Sequence, residues 1–189
     1  MRRLLTIIAL GVIAFPLAPA LAAAAPAPDL GTLLAGTAGQ WHGQLQYRDY
    51  QSNRWQGLPM DVQVTAQPDG VTLIRTATYN DGPRTGLVYI TSVAQLDRST
   101  NRQTYAQFRK GRPVDSGAAE LRLAEVSSLR HWVIVATETR QDGDGQAEVR
   151  ETTSRNGDEL ITLKEVNPTG DGQDEWLPRN RTVLKLVRL

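Results

Sequence analysis

The 189-residue chain contains no cysteine, which removes disulfide staples, thiolate metal ligands and a lipid-modified cysteine from consideration. A domain built from it must take its stability from core and sheet alone. Histidine is almost as scarce: His42 and His131 are the only two, so a multi-histidine metal centre would need both, and no metal site is expected. An excess of one charge is also missing, with 21 Lys and Arg against 20 Asp and Glu. Such a chain has no basic field to attract nucleic acid. The Gly-x-Ser-x-Gly elbow of nucleophilic hydrolysis is absent, and Ser116 stands in Asp115-Ser116-Gly117, a loop-like composition. No catalytic residue is assigned, and a non-enzymatic protein is the expectation.

The one extended apolar run, Leu4 to Leu17, is interrupted by Thr6, Gly11 and Pro16 and is too short for a comfortable membrane span. Arg2 and Arg3 precede it, and Ala20-Leu21-Ala22 follows with the small-x-small pattern of a cleavage site. Residues 1–25 therefore read as a secretory signal peptide cut between 22 and 25. That predicts a periplasmic or secreted protein with no transmembrane span after cleavage. The cut takes two arginines and no acid, moving the formal charge from +1 to −1.

Residues 26–38 read as a linker and a short helix, and residues 39–189 as the folded domain. Ala23 to Pro28 is only alanine and proline, a tether composition. Asp29 is placed to cap a helix carrying Leu30, Leu33 and Leu34, with Gly36 to end it.

From Trp41 the pattern changes to alternation, with Trp41, Gly43, Leu45 and Tyr47 on one parity and His42, Gln44, Gln46 and Arg48 on the other. His42 should therefore face solvent. The same period marks Met60 to Val64 and Val71 to Tyr79, joined across Pro68-Asp69-Gly70. After a break at Asn80-Asp81-Gly82-Pro83, strand-like runs follow at 87–93, 103–108, 118–125 and 129–139. Asp142-Gly143-Asp144-Gly145 and Asn156-Gly157 then join 129–139, 147–154 and 159–166 as hairpins. A long loop, 167–179, precedes a last strand at 182–189.

About nine short strands in meander order, with almost no helix between them, exclude a parallel α/β sheet, whose neighbours need long crossovers. The fold class is all-β, an antiparallel meander. An up-and-down barrel is favoured over a sandwich because closure removes the exposed edges such a meander would leave. A barrel of that size is either filled by side chains or holds one small ligand.

The leucine-rich helix, the Gly39-Gln40-Trp41 opening and the arginines flanking the last strand resemble the lipocalin and fatty-acid-binding, or calycin, architecture. The resemblance implies that Trp41 packs at the closed end of the barrel and that Arg181 or Arg188 lies across its ring, a cation-π contact of about 1 kcal/mol. Leu33-Leu34-Ala35-Gly36 with Trp41-His42-Gly43 is also similar to the start of nitrobindin-like haem-binding barrels, which implies haem as one candidate cofactor. His131 shares the parity of Val133 and Val135, and an inward position would make it an iron ligand. A strand-end histidine near solvent is the preferred reading, so haem is not favoured.

Asp142-x-Asp144-x-Gln146 imitates a calcium loop, but Ala147 replaces the required glycine and Thr153 the bidentate glutamate, which leaves a turn. Glu120, Glu125, Glu138, Glu148 and Glu151 fall in alternating patterns and read as solvated strand faces. Tyr47, Tyr79, Tyr89 and Phe108 are the expected wall residues of a pocket, with filling of the core as their alternative role.

Two functions lead, and an enzyme of unrecognised type is a third reading that only a clustered polar site in the cavity would raise. The first is an exported, non-enzymatic binding protein holding a small, largely apolar molecule in the barrel. The second is a cell-envelope interaction or structural module with a filled core, meeting a protein partner through loops 51–56 and 167–179, with Trp55 and Trp176 exposed.

Overall fold

The computed structural model describes residues 28–188 apart from 143, 144 and 171. The expected signal peptide lies outside the described residues. Helix α1 (Leu30–Ala35) leads into β1 (Gly39–Asp49), β2 (Arg54–Ala66) and β3 (Thr72–Asn80). A one-turn α2 (Gly82–Thr85) separates β3 from β4 (Leu87–Asp97), β5 (Arg102–Arg109) and β6 (Asp115–Ser128). β7 (His131–Asp142), β8 (Gly145–Asn156), β9 (Glu159–Pro168) and β10 (Leu177–Leu186) complete the chain.

Every strand pairs antiparallel with its sequence neighbours, and β1 pairs with β10, so ten strands close into an up-and-down barrel. The meander expected from the sequence is present, with ten strands in place of about nine. The last strand begins at Leu177, inside what reads as loop, because Leu177 faces Val166 in register with β9 while a bulge between Pro178 and Asn180 absorbs the irregularity. β6 likewise begins at Asp115, three residues early, paired with Gln107.

The turns follow their residues. In the β2–β3 turn Gly70 takes φ 72°, and the Asp69 carboxylate accepts from the backbone of Val71 at 3.0 Å and Thr72 at 2.9 Å. These hydrogen bonds hold the Asp69 carboxyl below the usual carboxylate range, the Thr72 side chain contributing most.

The two ends of the barrel differ. At one end α1 lies across the opening, its N-terminus capped by Asp29, which accepts from the Thr32 backbone at 3.1 Å. Leu30 and Leu33 drop from α1 onto Trp41, Val62, Val64, Leu96, Leu121, Trp132, Ile134, Leu160 and Leu184. Trp41 is 1 % exposed, and its indole N–H donates to the Thr37 carbonyl at 2.9 Å. Arg98 pins the helix from outside, bonding the Gly70 carbonyl at 2.9 Å and pairing with Asp29 at 3.1 Å.

The arginine over Trp41 is Arg155 of β8, 5.6 Å from the ring centroid, which corrects the assignment to Arg181 or Arg188. Arg155 points inward on the parity of Ala147 and Val149, is 6 % exposed, and closes its guanidinium onto the carbonyls of Gly36 and Gly157. Arg181 faces outward, over Trp55 at 4.5 Å, and Arg188 pairs with Asp158 on the surface.

Candidate functional site

Toward the end opposite α1 the barrel is hollow. A cavity of about 460 Å³ occupies it, with walls drawn from all ten strands. Closing ten strands gives a wider ring than eight, and the side chains of this half do not fill it. Alternation decides which residues face in: on β1 Leu45 and Tyr47, on β3 Arg75, Ala77 and Tyr79, on β4 Ile90, Ser92 and Ala94, on β5 Gln103, Tyr105, Gln107 and Arg109.

Of the expected wall residues, Tyr47 and Tyr79 line this cavity. Tyr89 and Phe108 do not. Their neighbours Ile90 and Arg109 face in, so period two sends both to the outer wall, where they are 58 % and 47 % exposed beside Leu87 and Val93. His131 is also outside it. Trp132 and Ile134 take the inward parity of β7, leaving His131 exposed at the α1 end, its Nδ1 2.9 Å from the Ser128 hydroxyl. His131 is therefore not among the residues that line the cavity. His42 faces outward, its Nδ1 2.7 Å from Asp61.

The lining is far more polar than a pocket for an apolar molecule. Glu138 and Glu151, read from sequence as solvated, point inward together with Arg75, Arg109, Arg140, Lys164 and Asp115. The sequence signal for them was parity. Glu138 and Arg140 continue the phase of Trp132 and Ile134, Glu151 that of Ala147 and Val149, and Arg75 that of Ala77 and Tyr79.

These charges fall into two groups. The first is saturated. The Tyr105 hydroxyl donates to the Glu138 carboxylate, its oxygens 2.8 and 2.9 Å away. Arg140 donates to the Tyr105 oxygen at 2.7 Å, to Glu138 at 3.3 Å and to Asp115 at 2.6 Å. Gly117 on β6 leaves the space this cluster occupies, since a Cβ there would stand 2.8 Å from both Glu138 Oε2 and the Tyr105 oxygen. Burial, then the bond to Glu138, pushes the Tyr105 phenol well above its ordinary value. Burial acts against the Arg140 cation, but its carboxylate partners outweigh that and hold it firmly charged.

The second group is open. Register sets Glu151, Lys164, Asn180 and Tyr47 side by side on β8, β9, β10 and β1, all facing in. Lys164 and Glu151 are cross-strand neighbours, yet no ion pair within 4 Å forms between them among the described residues. Arg75 faces this row from β3, five strands from β8 and four from β9 around the ring. Arg75 is half-buried with its side chain on the cavity, and among the described residues its guanidinium has no hydrogen bond or ion pair. Burial lowers its pKa and the charge of Glu151 partly opposes this, but an arginine stays cationic throughout the physiological range. Nearer the mouth, burial first and then Tyr79 and Asp81 raise the Tyr47 phenol. There Arg109 reaches Asp81 at 3.9 Å.

The tryptophans of the alternative reading are not free. Trp176 carries the Arg150 guanidinium 4.0 Å from its ring and Trp55 carries Arg181, and both are half-buried. Among the described residues no helix is long and apolar enough to cross a membrane.

No family model matches the chain, and no curated protein matches it. Among solved structures, Rv2717c from M. tuberculosis is similar over 85 % of this chain and 100 % of that one, with a TM-score of 0.56 and 15 % sequence identity. At that identity the likeness concerns fold alone: this chain is a closed antiparallel barrel of ten strands, shared in outline with that protein.

Proposed function

We propose that the protein is an exported, non-enzymatic binding protein that holds one small molecule in the half of the barrel opposite α1. The observation that carries this is the 460 Å³ hollow itself, which falls in the range of small-molecule sites and lies in a barrel whose other half is packed solid. The lining revises the ligand. Leu45, Met60, Ala77, Ile90, Ala136 and Val149 provide apolar strips, but charged and hydroxyl side chains stand between them. A molecule with both apolar and polar parts fits these walls better than a largely apolar one.

The binding reading is favoured over catalysis by the pairing within the Tyr105 cluster. Tyr105, Glu138, Arg140 and Asp115 satisfy one another, which fixes one wall of the cavity. Export rests on the N-terminal pattern described above. Native mass spectrometry of the full chain expressed in a bacterial host tests both parts. The expected species lacks its first 22 to 25 residues and carries additional small-molecule mass lost on denaturation. A full-length, ligand-free species that also excludes small fluorescent probes counts against the whole reading.

A further inference from the structure

We infer that Arg75, with Lys164 opposite, is the recognition site for the single negative charge of a small organic anion bound in the cavity. This deepens the binding reading above and rests on it. The inference stands on contrast within one cavity. Arg140 has three partners within hydrogen-bonding reach and Arg109 has Asp81, whereas Arg75 and Lys164 have no ion-pair partner among the described residues. A half-buried cation that faces the hollow with no protein partner is placed to take one from a bound molecule. A ligand anion is the partner the site is shaped to receive, in charge-assisted hydrogen bonds to the guanidinium fork.

Glu151 sets the valence. It is the neighbour of Lys164 in register and the carboxylate whose charge reaches Arg75, so within this open group it offsets one of the two cations and leaves one positive charge. A monoanion neutralises that remainder; a dianion meets repulsion from Glu151. The body of the ligand then lies along the apolar strip of Leu45, Ala77 and Ile90 toward the mouth.

Two probes that differ by one charge test this: 8-anilinonaphthalene-1-sulfonate, a monoanion, and N-phenyl-1-naphthylamine, the same ring system without the sulfonate. Fluorescence titrations should show the sulfonate bound at least about tenfold more tightly by the wild-type chain, as expected for a hydrogen bond to a charged group. Arg75→Met should remove that preference while leaving the uncharged probe within about twofold, Arg75→Lys should retain part of it, and Lys164→Met should reduce it less. Tyr89→Ser, on the outer wall, controls for surface adsorption and should change neither titration. Circular dichroism melts verify that each variant is folded. If both probes bind equally, or Arg75→Met binds the sulfonate as the wild type does, the anion site is refuted while the binding reading survives. If neither probe binds, the binding reading falls and takes this inference with it.

Discussion

The α1 end and the open end of the barrel are built from the same ten strands with the same alternation, yet one is a core and the other a hollow. At the α1 end the inward residues are Trp41, Val62, Val64, Leu121, Trp132, Ile134 and Leu184, large enough to meet in the middle under Leu33. A few residues further along the same strands the inward positions become Arg75, Tyr105, Glu138, Glu151 and Lys164. Polar chains of this kind cannot be packed against one another dry without full pairing, so the barrel stays open there. One half is therefore a packed apolar core and the other a polar hollow, and substitutions in the hollow should stabilise or destabilise according to whether the side chain removed has a partner.

The largest effect is expected at Trp41. Trp41→Ala removes a fully buried ring, the hydrogen bond to Thr37 and the seat of Arg155, and should cost about 3–5 kcal/mol, measured by denaturant unfolding. Little loss there would mean that the α1 end is not the stabilising core.

Next comes the saturated cluster. Arg140→Met leaves Glu138 and Asp115 facing each other without their shared cation and should cost about 2–3 kcal/mol. Glu138→Gln at the same site should cost less, because the amide still accepts from Tyr105. Equal and small losses would show that solvent entering the cavity replaces the cluster.

A smaller contrast separates the two arginines assigned by sequence and by structure to Trp41. Arg155→Met should cost about 1–2 kcal/mol through its carbonyl bonds and ring contact. Arg188→Met, at an exposed side chain, should fall within about 0.5 kcal/mol of wild type. The order of the two unfolding midpoints decides between them.

How much of this was legible follows from where alternation is informative. On β1 the inward set Trp41, Leu45 and Tyr47 is apolar or aromatic and the outward set polar, so facing could be read directly. On β4 both parities are apolar, Leu87 and Tyr89 outward against Val88 and Ile90 inward, and nothing local says that Tyr89 is outside. On β7 and β8 the charge is on the inside. Glu138, Arg140 and Glu151 resemble a solvated face because the cavity is itself wet, and only the phase carried over from Trp132 or Val149 identifies them. Arg155 escaped for the same reason: its neighbours in sequence are polar, and its burial depends on α1, more than a hundred residues earlier. The pairing of Arg75 with a vacant space opposite Lys164 needed the ring closure that makes β3 face β8 and β9.

Arg75→Met should move stability the other way from Trp41→Ala. It removes a half-buried cation that has no ion-pair partner among the described residues and substitutes a flexible apolar chain of similar reach, so the melting midpoint of the ligand-free protein should rise slightly. A fall would indicate that Glu151 already compensates Arg75 at longer range.

The smallest effect, and the one most specific to the open half, is alkaline. The folded state holds the Tyr105 phenol above its unfolded value, so folding favours the protonated form. The stabilisation is fully present below about pH 10, the ordinary tyrosine value, and is lost as pH rises from there through the folded-state value, because the unfolded chain releases that proton first. Tyr47 shifts in the same direction, chiefly by burial. Phenolate absorbance recorded during a pH titration should accordingly show a late fraction that Tyr105→Phe removes, and the variant's unfolding midpoint should fall less steeply above pH 10 than that of the wild type. Since Tyr105 and its partners on β6 and β7 form one wall of the hollow half, a molecule bound against that wall should delay the phenolate step further. A ligand-insensitive step that Tyr105→Phe leaves in place would separate the Tyr105 cluster from the binding chamber and confine recognition to the Arg75 side.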